Sequence, residues 1–379
     1  MSTDVVITGI GMVTPLGRSA EAVLNRILCH ESAMTAAPFA SGEFDCPVWA
    51  PVAGFDPEAY FPDNKMLRLM NRDAQMAVVA ARLAMEDAAV RSGETYQADE
   101  IALFGSTGTA GMSAKEIARI VQHATREDGS LSLDRFGRVA LKRVRPVLSF
   151  RILSNMPVCF VSIFENITGP NAVYTPWEGQ GAQAIAAGVR AIRRGDVRCS
   201  VVGGCDVKCR EVSFVSLQQS GVFDSWKRYG RGCIPGEGAA FIVLEERHSA
   251  VRRGIRPYAL VKDFRMKSAS SAAQREKVLC SILSEIKLQN GSCRLQVVGA
   301  SDGDYAIDCS EEQALERAGI GQDAVLKTKS AIGNLFAGAA PVQVGLAAQL
   351  AAQERAGGVV IANCFGYGSE QAAFVLEAA

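Results

Sequence analysis

Short apolar runs of strand length alternate with amphipathic helical stretches along the whole chain, and no low-complexity linker interrupts them. Such alternation commits a chain to layered α/β architecture, because strands and helices each carry an apolar face that the other covers. The pattern predicts two similar series. In the first, strands are expected at Val5–Ile10, Ile101–Phe104, Ala172–Tyr174, Ser200–Val202 and Ala240–Glu245. Helices are expected at Asn71–Val90, Ser113–Ala124, Asn155–Ile163 and Ala182–Arg194, and Gly105–Gly108 reads as a turn. The second series has strands near Ala259–Phe264, Gln296–Val298, Gly358–Ile361 and Ala372–Leu376. Its helices are expected near Ala273–Leu288, Ser310–Ala318 and Val342–Gln353. Both series end in paired strands around a glycine turn, which points to a duplicated α/β fold.

Composition removes several classes of function. Among 379 residues, 48% are hydrophobic, enough for a large core. Lys plus Arg equals Asp plus Glu at 40 each, which argues against a general nucleic-acid or membrane-surface role. No apolar run reaches bilayer-spanning length. The start, Met1-Ser2-Thr3-Asp4, runs straight into Val5-Val6-Ile7 and reads as a first strand rather than a signal peptide. Eleven scattered cysteines form no framework, which suggests reduced thiols and a cytoplasmic protein. Cys205 and Cys209 are four apart, but none of the three histidines (His30, His123, His248) lies near them at ligand spacing. Structural thiols are the reading, and no metal or cofactor is expected.

The stretch Gly169-Pro170-Asn171-Ala172-Val173-Tyr174-Thr175-Pro176-Trp177-Glu178-Gly179-Gln180-Gly181 reads as a strand, a sharp turn and the approach to a helix. An elbow of this kind aims one side chain toward a helix N-terminus, where the dipole and free N–H groups stabilise negative charge. The projecting residue is Glu178, a carboxylate where a nucleophile is usual. Two other motifs fail. Gly9-Ile10-Gly11 follows a strand, but Thr14-Pro15 replaces a third glycine and no helix starts there, so dinucleotide binding is not supported. Gly236-Glu237-Gly238 precedes a strand, not a helix, and makes no phosphate cradle.

Five segments, in order, resemble β-ketoacyl-acyl-carrier-protein synthases. They are Val5–Gly17 with its first strand and turn, Asn71-Arg72-Asp73-Ala74-Gln75-Met76-Ala77, and Phe223-Asp224 followed by Arg231–Ala239. The others are Lys329-Ser330-Ala331-Ile332-Gly333-Asn334, similar to "KSxxGH", and Asn363-Cys364-Phe365-Gly366-Tyr367-Gly368, similar to the "NSFGFGG" loop. The resemblance implies a thiolase-type fold, with duplicated α/β halves in a five-layered αβαβα core. The halves would be residues 1–250, carrying dimer-contact and tunnel insertions, and 251–379. Active members need an elbow Cys and two His, a thiolate to hold the acyl chain and donors for the developing oxyanion. Here the resemblance places Glu178 at the Cys and Asn334 at one His. The other His falls on Ser301, or on Ala300 if a gap is shifted. Lys329 is retained, and Gln343 stands where a glutamate often occurs.

Loss of all three catalytic types on an intact scaffold resembles the chain-length factor, the ketosynthase β subunit of type II polyketide synthases. That implies a heterodimer with an active ketosynthase α subunit, service by an acyl carrier protein, and a tunnel at the interface whose depth sets product length. Thr109, Met112, Ser113, Glu116 and Ile120 are expected to line the tunnel, with Phe150, Asn155, Met156 and Phe160 in the dimer-contact region; core packing is the alternative for Met112, Ile120 and Phe160. Phe365, Gly366, Tyr367 and Gly368 form the glycine loop. Glu178 is expected to fill the old nucleophile pocket, partnered by Asn334, Ser301 or Lys329. Lys142-Arg143-Val144-Arg145 and Arg193-Arg194 are candidate contacts for an acidic carrier protein, or solvated faces. Other readings stay open: a decarboxylase that generates starter units, an active synthase with atypical chemistry, and a homodimeric scaffold. The product class, aromatic or polyene, stays open too.

Overall fold

The computed structural model describes residues 3–40, 42–61, 64–109, 111–144, 148–290, 293–353 and 358–379. The strands before residue 250 used here are β1 (Val5–Val13), β2 (Ile101–Thr107), β3 (Asn171–Tyr174), β4 (Cys199–Val207) and β5 (Glu237–Glu246). After it come β6 (Ala259–Ser268), β7 (Leu295–Gly299), β8 (Val325–Lys327), β9 (Val359–Cys364) and β10 (Glu370–Glu377). The first five run β3-β2-β4-β5-β1 across their sheet and the second five run β8-β7-β9-β10-β6, the same order displaced by five. In each set the first three strands are parallel and the last two antiparallel. The duplication expected from the two series is present in the topology. A short antiparallel register, Val6 with Leu260 and Ile7 with Ala259, joins the two sets along β1 and β6.

Helices fill three layers around these strands. Helix α1 (Ala20–Leu28) precedes α2 (Arg72–Asp87), which packs on β1, β4 and β5 together with α4 (Met156–Phe164) as one outer layer. Helix α3 (Ala114–Ala124) lies between them in sequence. Helix α5 (Glu178–Arg194) and α8 (Ala339–Gln353) touch each other and strands of both halves, so they form the middle layer. Helices α6 (Ala272–Asn290) and α7 (Tyr305–Arg317) pair on the opposite outer face. The result is αβαβα. The middle helices are buried nearly all round: in α8, Val342, Val344, Leu346, Ala347 and Ala348 are all inaccessible or nearly so, as a helix between two sheets requires.

The two glycines of Gly9-Ile10-Gly11 have a packing role. A Cβ at Gly11 would stand 2.1 Å from the Ala80 carbonyl oxygen, and one at Gly9 2.2 Å from that of Ala84. Strand β1 lies directly on the alanine-rich face of α2, where Ala77, Ala80, Ala81 and Ala84 are buried. The obstacles are backbone atoms that no rotamer change relieves.

Several boundaries move from those expected. Residues Gly105–Thr107 continue β2 rather than turning, because they pair with β4 as far as Thr107. Helix α7 starts at Tyr305, capped by the Asp304 carboxylate on the N–H groups of Ala306 and Ile307. Helix α5 begins at Glu178 rather than Ala182. Gly11→Ala is expected to destabilise the protein by at least about 2 kcal/mol, read as a lower urea midpoint.

Candidate functional site

Four loops meet in one buried place, and each leaves the C-terminal end of a strand in a parallel set. The turn after β3 leads into α5, and others follow β7, β8 and β9. Carboxyl ends of parallel strands are where open α/β sheets build their sites. Glu178 is the first residue of α5 and is completely buried. Its Oε1 accepts from Asn334 Nδ2 at 2.8 Å, and its Oε2 accepts from the Tyr367 N–H at 3.2 Å. The Lys329 ammonium stands 3.8 Å from Oε1 and donates to the Phe365 carbonyl at 3.3 Å. Gly366 must lack a side chain because a Cβ there would sit 2.1 Å from the Glu178 carboxyl carbon.

Asn334 uses its amide completely. Besides Glu178, its Nδ2 donates to Asp302 Oδ2 at 2.8 Å, and its Oδ1 accepts from the Phe336 N–H at 2.8 Å. Its backbone is pinned to the Ile234-Pro235-Gly236 segment: Asn334 N–H donates to Ile234 O at 2.7 Å, and Gly236 N–H donates to Asn334 O at 2.9 Å. That contact gives the Arg231–Ala239 segment its structural use. Trp177, Phe336 and Tyr367 form an aromatic triangle beside Glu178, with ring centroids 6.1–6.2 Å apart.

The residue that faces Glu178 and Asn334 from the loop after β7 is Asp302, not Ser301 or Ala300. The Ser301 hydroxyl donates instead to Glu311 Oε2 at 2.6 Å. The buried Glu311 carboxylate also takes the N–H groups of Ala300 and Ser301 and the Asn363 amide, so it shapes the loop from behind. Gln343 Nε2 donates to Gly299 O and Asn363 O at 2.7 and 2.9 Å and ties the ends of β7 and β9 together. The usable signal for Asp302 was the glycine that follows it, Gly303, at φ 94°.

Burial pushes the Asp302 carboxyl up to about 6; Lys329 opposes the rise and Glu178 adds to it. The pocket gathers two carboxyl groups and one ammonium. None of the three histidines reaches it: His30 follows α1, His123 is in α3 and His248 follows β5. Cys233 is fully buried nearby, and burial, reinforced by Asp302 and Glu178, raises its thiol well above the usual range, so it is a poor nucleophile. Among the described residues no group of three or more His, Cys, Asp or Glu is arranged to hold a metal, and no helix is long and apolar enough to cross a membrane.

The expected tunnel positions separate. Ser113, Glu116 and Ile120 line a cavity of about 670 Å³, and Ser113 and Glu116 also line one of about 410 Å³. Thr109 and Phe150 are exposed, Met112 is half-buried, and Asn155 is exposed beside Cys159. Phe160 is 2% exposed and packs in the core between α2 and the first sheet, with Met156 at the edge of that cluster. Core packing, the alternative weighed above, accounts for Phe160. Lys142 and Arg143 are exposed, and Arg145 lies outside the described residues. Arg193 donates to the carbonyls of Val261 and Lys262, so it ties α5 to β6.

The fold is that of the thiolase-like α/β proteins. A model of the β-ketoacyl synthase N-terminal domain matches residues 2–250, and the chain belongs to the β-ketoacyl synthase family. It is 26% identical over 368 residues to 3-oxoacyl-[acyl-carrier-protein] synthase 2 of Vibrio cholerae, covering 89% of this chain and 84% of that one. It is equally 26% identical over 362 residues to the tetracenomycin polyketide synthase ketoacyl synthase beta subunit of Streptomyces glaucescens, covering 90% and 84%. Among solved structures, the ishigamide ketosynthase/chain length factor superposes with a TM-score of 0.77 at 21% identity, over 100% of both chains. A type II PKS acyl-carrier protein in complex with its ketosynthase bound to the hexaketide gives 0.77 at 17%, again over 100% of both.

Two predictions follow from the hydrogen bonds. Both Glu178 oxygens accept from donors, so the isosteric Glu178→Gln sets one N–H against another; a loss of about 1–3 kcal/mol in urea unfolding is expected. Asp302 is raised above its ordinary 3.8, so the native state binds the extra proton between about pH 4 and 6 and stability falls as pH rises through that window. In Asp302→Asn that component of the slope disappears, a change on the order of 2–3 kcal/mol between pH 4 and 7, measured by chemical denaturation across pH.

Proposed function

We propose that this chain is a non-condensing subunit, a chain-length factor that pairs with an active ketosynthase and walls the tunnel in which a polyketide grows. The observation that carries this reading is the occupied elbow. Glu178 fills the nucleophile position, and its two oxygens already hold the Asn334 amide and the Tyr367 N–H. A carboxylate cannot stand in for the thiolate, because the acyl anhydride it would form is too labile to carry a growing chain. Decarboxylation of a malonyl group would need free donors for the enolate oxygen. Here the Asn334 donors are spent on Glu178 and Asp302, and Lys329 donates to Phe365 O. That weighs against the starter-generating alternative.

The surface supports a partner. Val121, Leu131, Phe150, Ile152, Leu153 and Ile163 are exposed large apolar side chains within one stretch of chain. Strand β3 ends its sheet, and among the described residues no strand pairs with its outer edge. Exposed apolar side chains and an open sheet edge are each features that a partner surface covers. The active partner would supply the thiol and accept the carrier protein, and this chain would supply the opposing wall.

Co-expression with an active ketosynthase α subunit is expected to yield a stable one-to-one complex that makes polyketide from malonyl-carrier protein. The isolated chain is expected to show no covalent acyl adduct by intact-mass spectrometry. With the partner's cysteine removed, the complex is expected to release no carbon dioxide from malonyl-carrier protein. An adduct on this chain, or decarboxylation that vanishes in Glu178→Ala, would overturn the reading.

A further inference from the structure

The loop that carries Asp302 is covered by a second segment, residues 224–232, which is stitched to it at four points. This segment opens with a short helix, Asp224–Tyr229, and runs between two fully buried residues, Phe223 and Cys233. The Tyr305 N–H donates to Ser225 Oγ at 2.9 Å. The Tyr229 and Tyr305 rings stack with centroids 4.7 Å apart and planes at 30°. The Arg231 guanidinium stands 3.7 Å from Asp308 Oδ2. Gly303 meets Gly232 backbone to backbone: a Cβ on Gly303 would stand 2.6 Å from the Gly232 carbonyl oxygen.

Asp308 holds both sides of this seam. Its Oδ1 accepts from the N–H groups of Asp302 and Gly303 at 3.1 and 3.2 Å, and its Oδ2 faces Arg231. The segment also closes on itself, since Trp226 Nε1 donates to Cys233 O at 2.8 Å. One residue further on, the Ile234 carbonyl takes the Asn334 N–H, so the strap ends on the pocket itself. Sites in open α/β sheets open beyond the carboxyl ends of parallel strands, and the segment covers the loop that leaves β7 at that end. Beneath it, Glu178 and Asn334 are inaccessible and Asp302 is 5% exposed; on top, Tyr229 and Tyr305 are 52% and 45% exposed.

We infer that residues 224–232 are a lid latched over the Glu178–Asn334–Asp302 pocket, fastened by Asp308 and the Tyr229–Tyr305 stack, and that it shuts the pocket to a carrier-borne acyl arm whatever residues stand inside. The occupied elbow removes the chemistry and the lid removes access, two separate barriers. A surface aromatic pair and an ion pair with an exposed guanidinium are weak fastenings, whereas the ends at Phe223 and Cys233 are buried anchors. The lid therefore opens locally, hinged at those ends, more readily than the chain unfolds. All of its contacts lie within this chain, so it stands apart from the chain-length-factor reading.

The native thiol of Cys233 reports on closure, because it ends the lid, is fully buried and lies near Asp302 and Glu178. The whole chain is treated with iodoacetamide, and alkylation is followed at each cysteine by peptide mass spectrometry, with the exposed Cys29 as reference. In the parent, Cys233 is expected to stay unmodified after Cys29 has reacted completely. Tyr229→Ala combined with Arg231→Ala is expected to speed Cys233 alkylation about tenfold, the effect of losing one aromatic pair and one exposed ion pair. Tyr229→Phe, which keeps the stack, is expected to keep the parent rate. Cys199, buried in β4, is expected to stay unmodified throughout; if it reacts in the double variant, that variant has unfolded and the single Tyr229→Ala is compared with the parent instead. Cys233 reacting in the parent as fast as Cys29 would overturn the closed pocket. Equal Cys233 rates in the parent and the folded alanine variant would overturn the fastenings.

Discussion

One side-chain amide holds the centre of this molecule together. Asn334 Nδ2 sends its two hydrogens to two buried carboxylates, Glu178 from the first half and Asp302 from the second, at 2.8 Å each. Two acids so close together repel, and both are buried. The amide donors and the Lys329 ammonium make the arrangement tolerable, and the upward push on Asp302 shows that compensation is incomplete. The loops after β3, β7, β8 and β9 converge on this point, so a disturbance there is felt in both halves.

The duplicated topology explains why such a convergence exists. Two five-stranded sets with the same order, joined through β1 and β6 in one sheet, pack on the shared helices α5 and α8, and their parallel strands deliver loops to one common region. Glu311, Gln343 and Asn363 then clamp the backbone behind the site. None of these clamps depends on a reactive group at the centre. The scaffold therefore tolerates exchange of the central residues provided that they satisfy one another.

Much of this was legible in the sequence, for identifiable reasons. The alternating periodicities located β1–β7, β9, β10 and α2–α8, but not α1, β8 or the helices Glu211–Gln219 and Arg247–Arg252. Glu178 and Asn334 stand in motifs with fixed spacing from strand or helix ends, and the structure brings the two side chains to 2.8 Å. Asp302 was not, because the loop after β7 has no periodicity and adjacent residues in a loop point in opposite directions. Only the backbone course decides that Ser301 turns to Glu311 while its neighbour turns inward. Phe160 shows the opposite difficulty, since an apolar residue on a short helix suits an interface or a core equally well until the packing against α2 is seen.

The mutual bonding of Glu178, Asn334 and Asp302 bears on how such a chain can change over generations. Asn334 donates to both carboxylates, whose second oxygens accept from the Tyr367 and Asp304 N–H groups. Replacing one alone strands a donor or a carboxylate in a dry pocket, at about 1–3 kcal/mol for each orphaned group. A lineage that has settled into this set cannot drift back one residue at a time without passing through weaker proteins. The pocket therefore acts as a ratchet on its own residues.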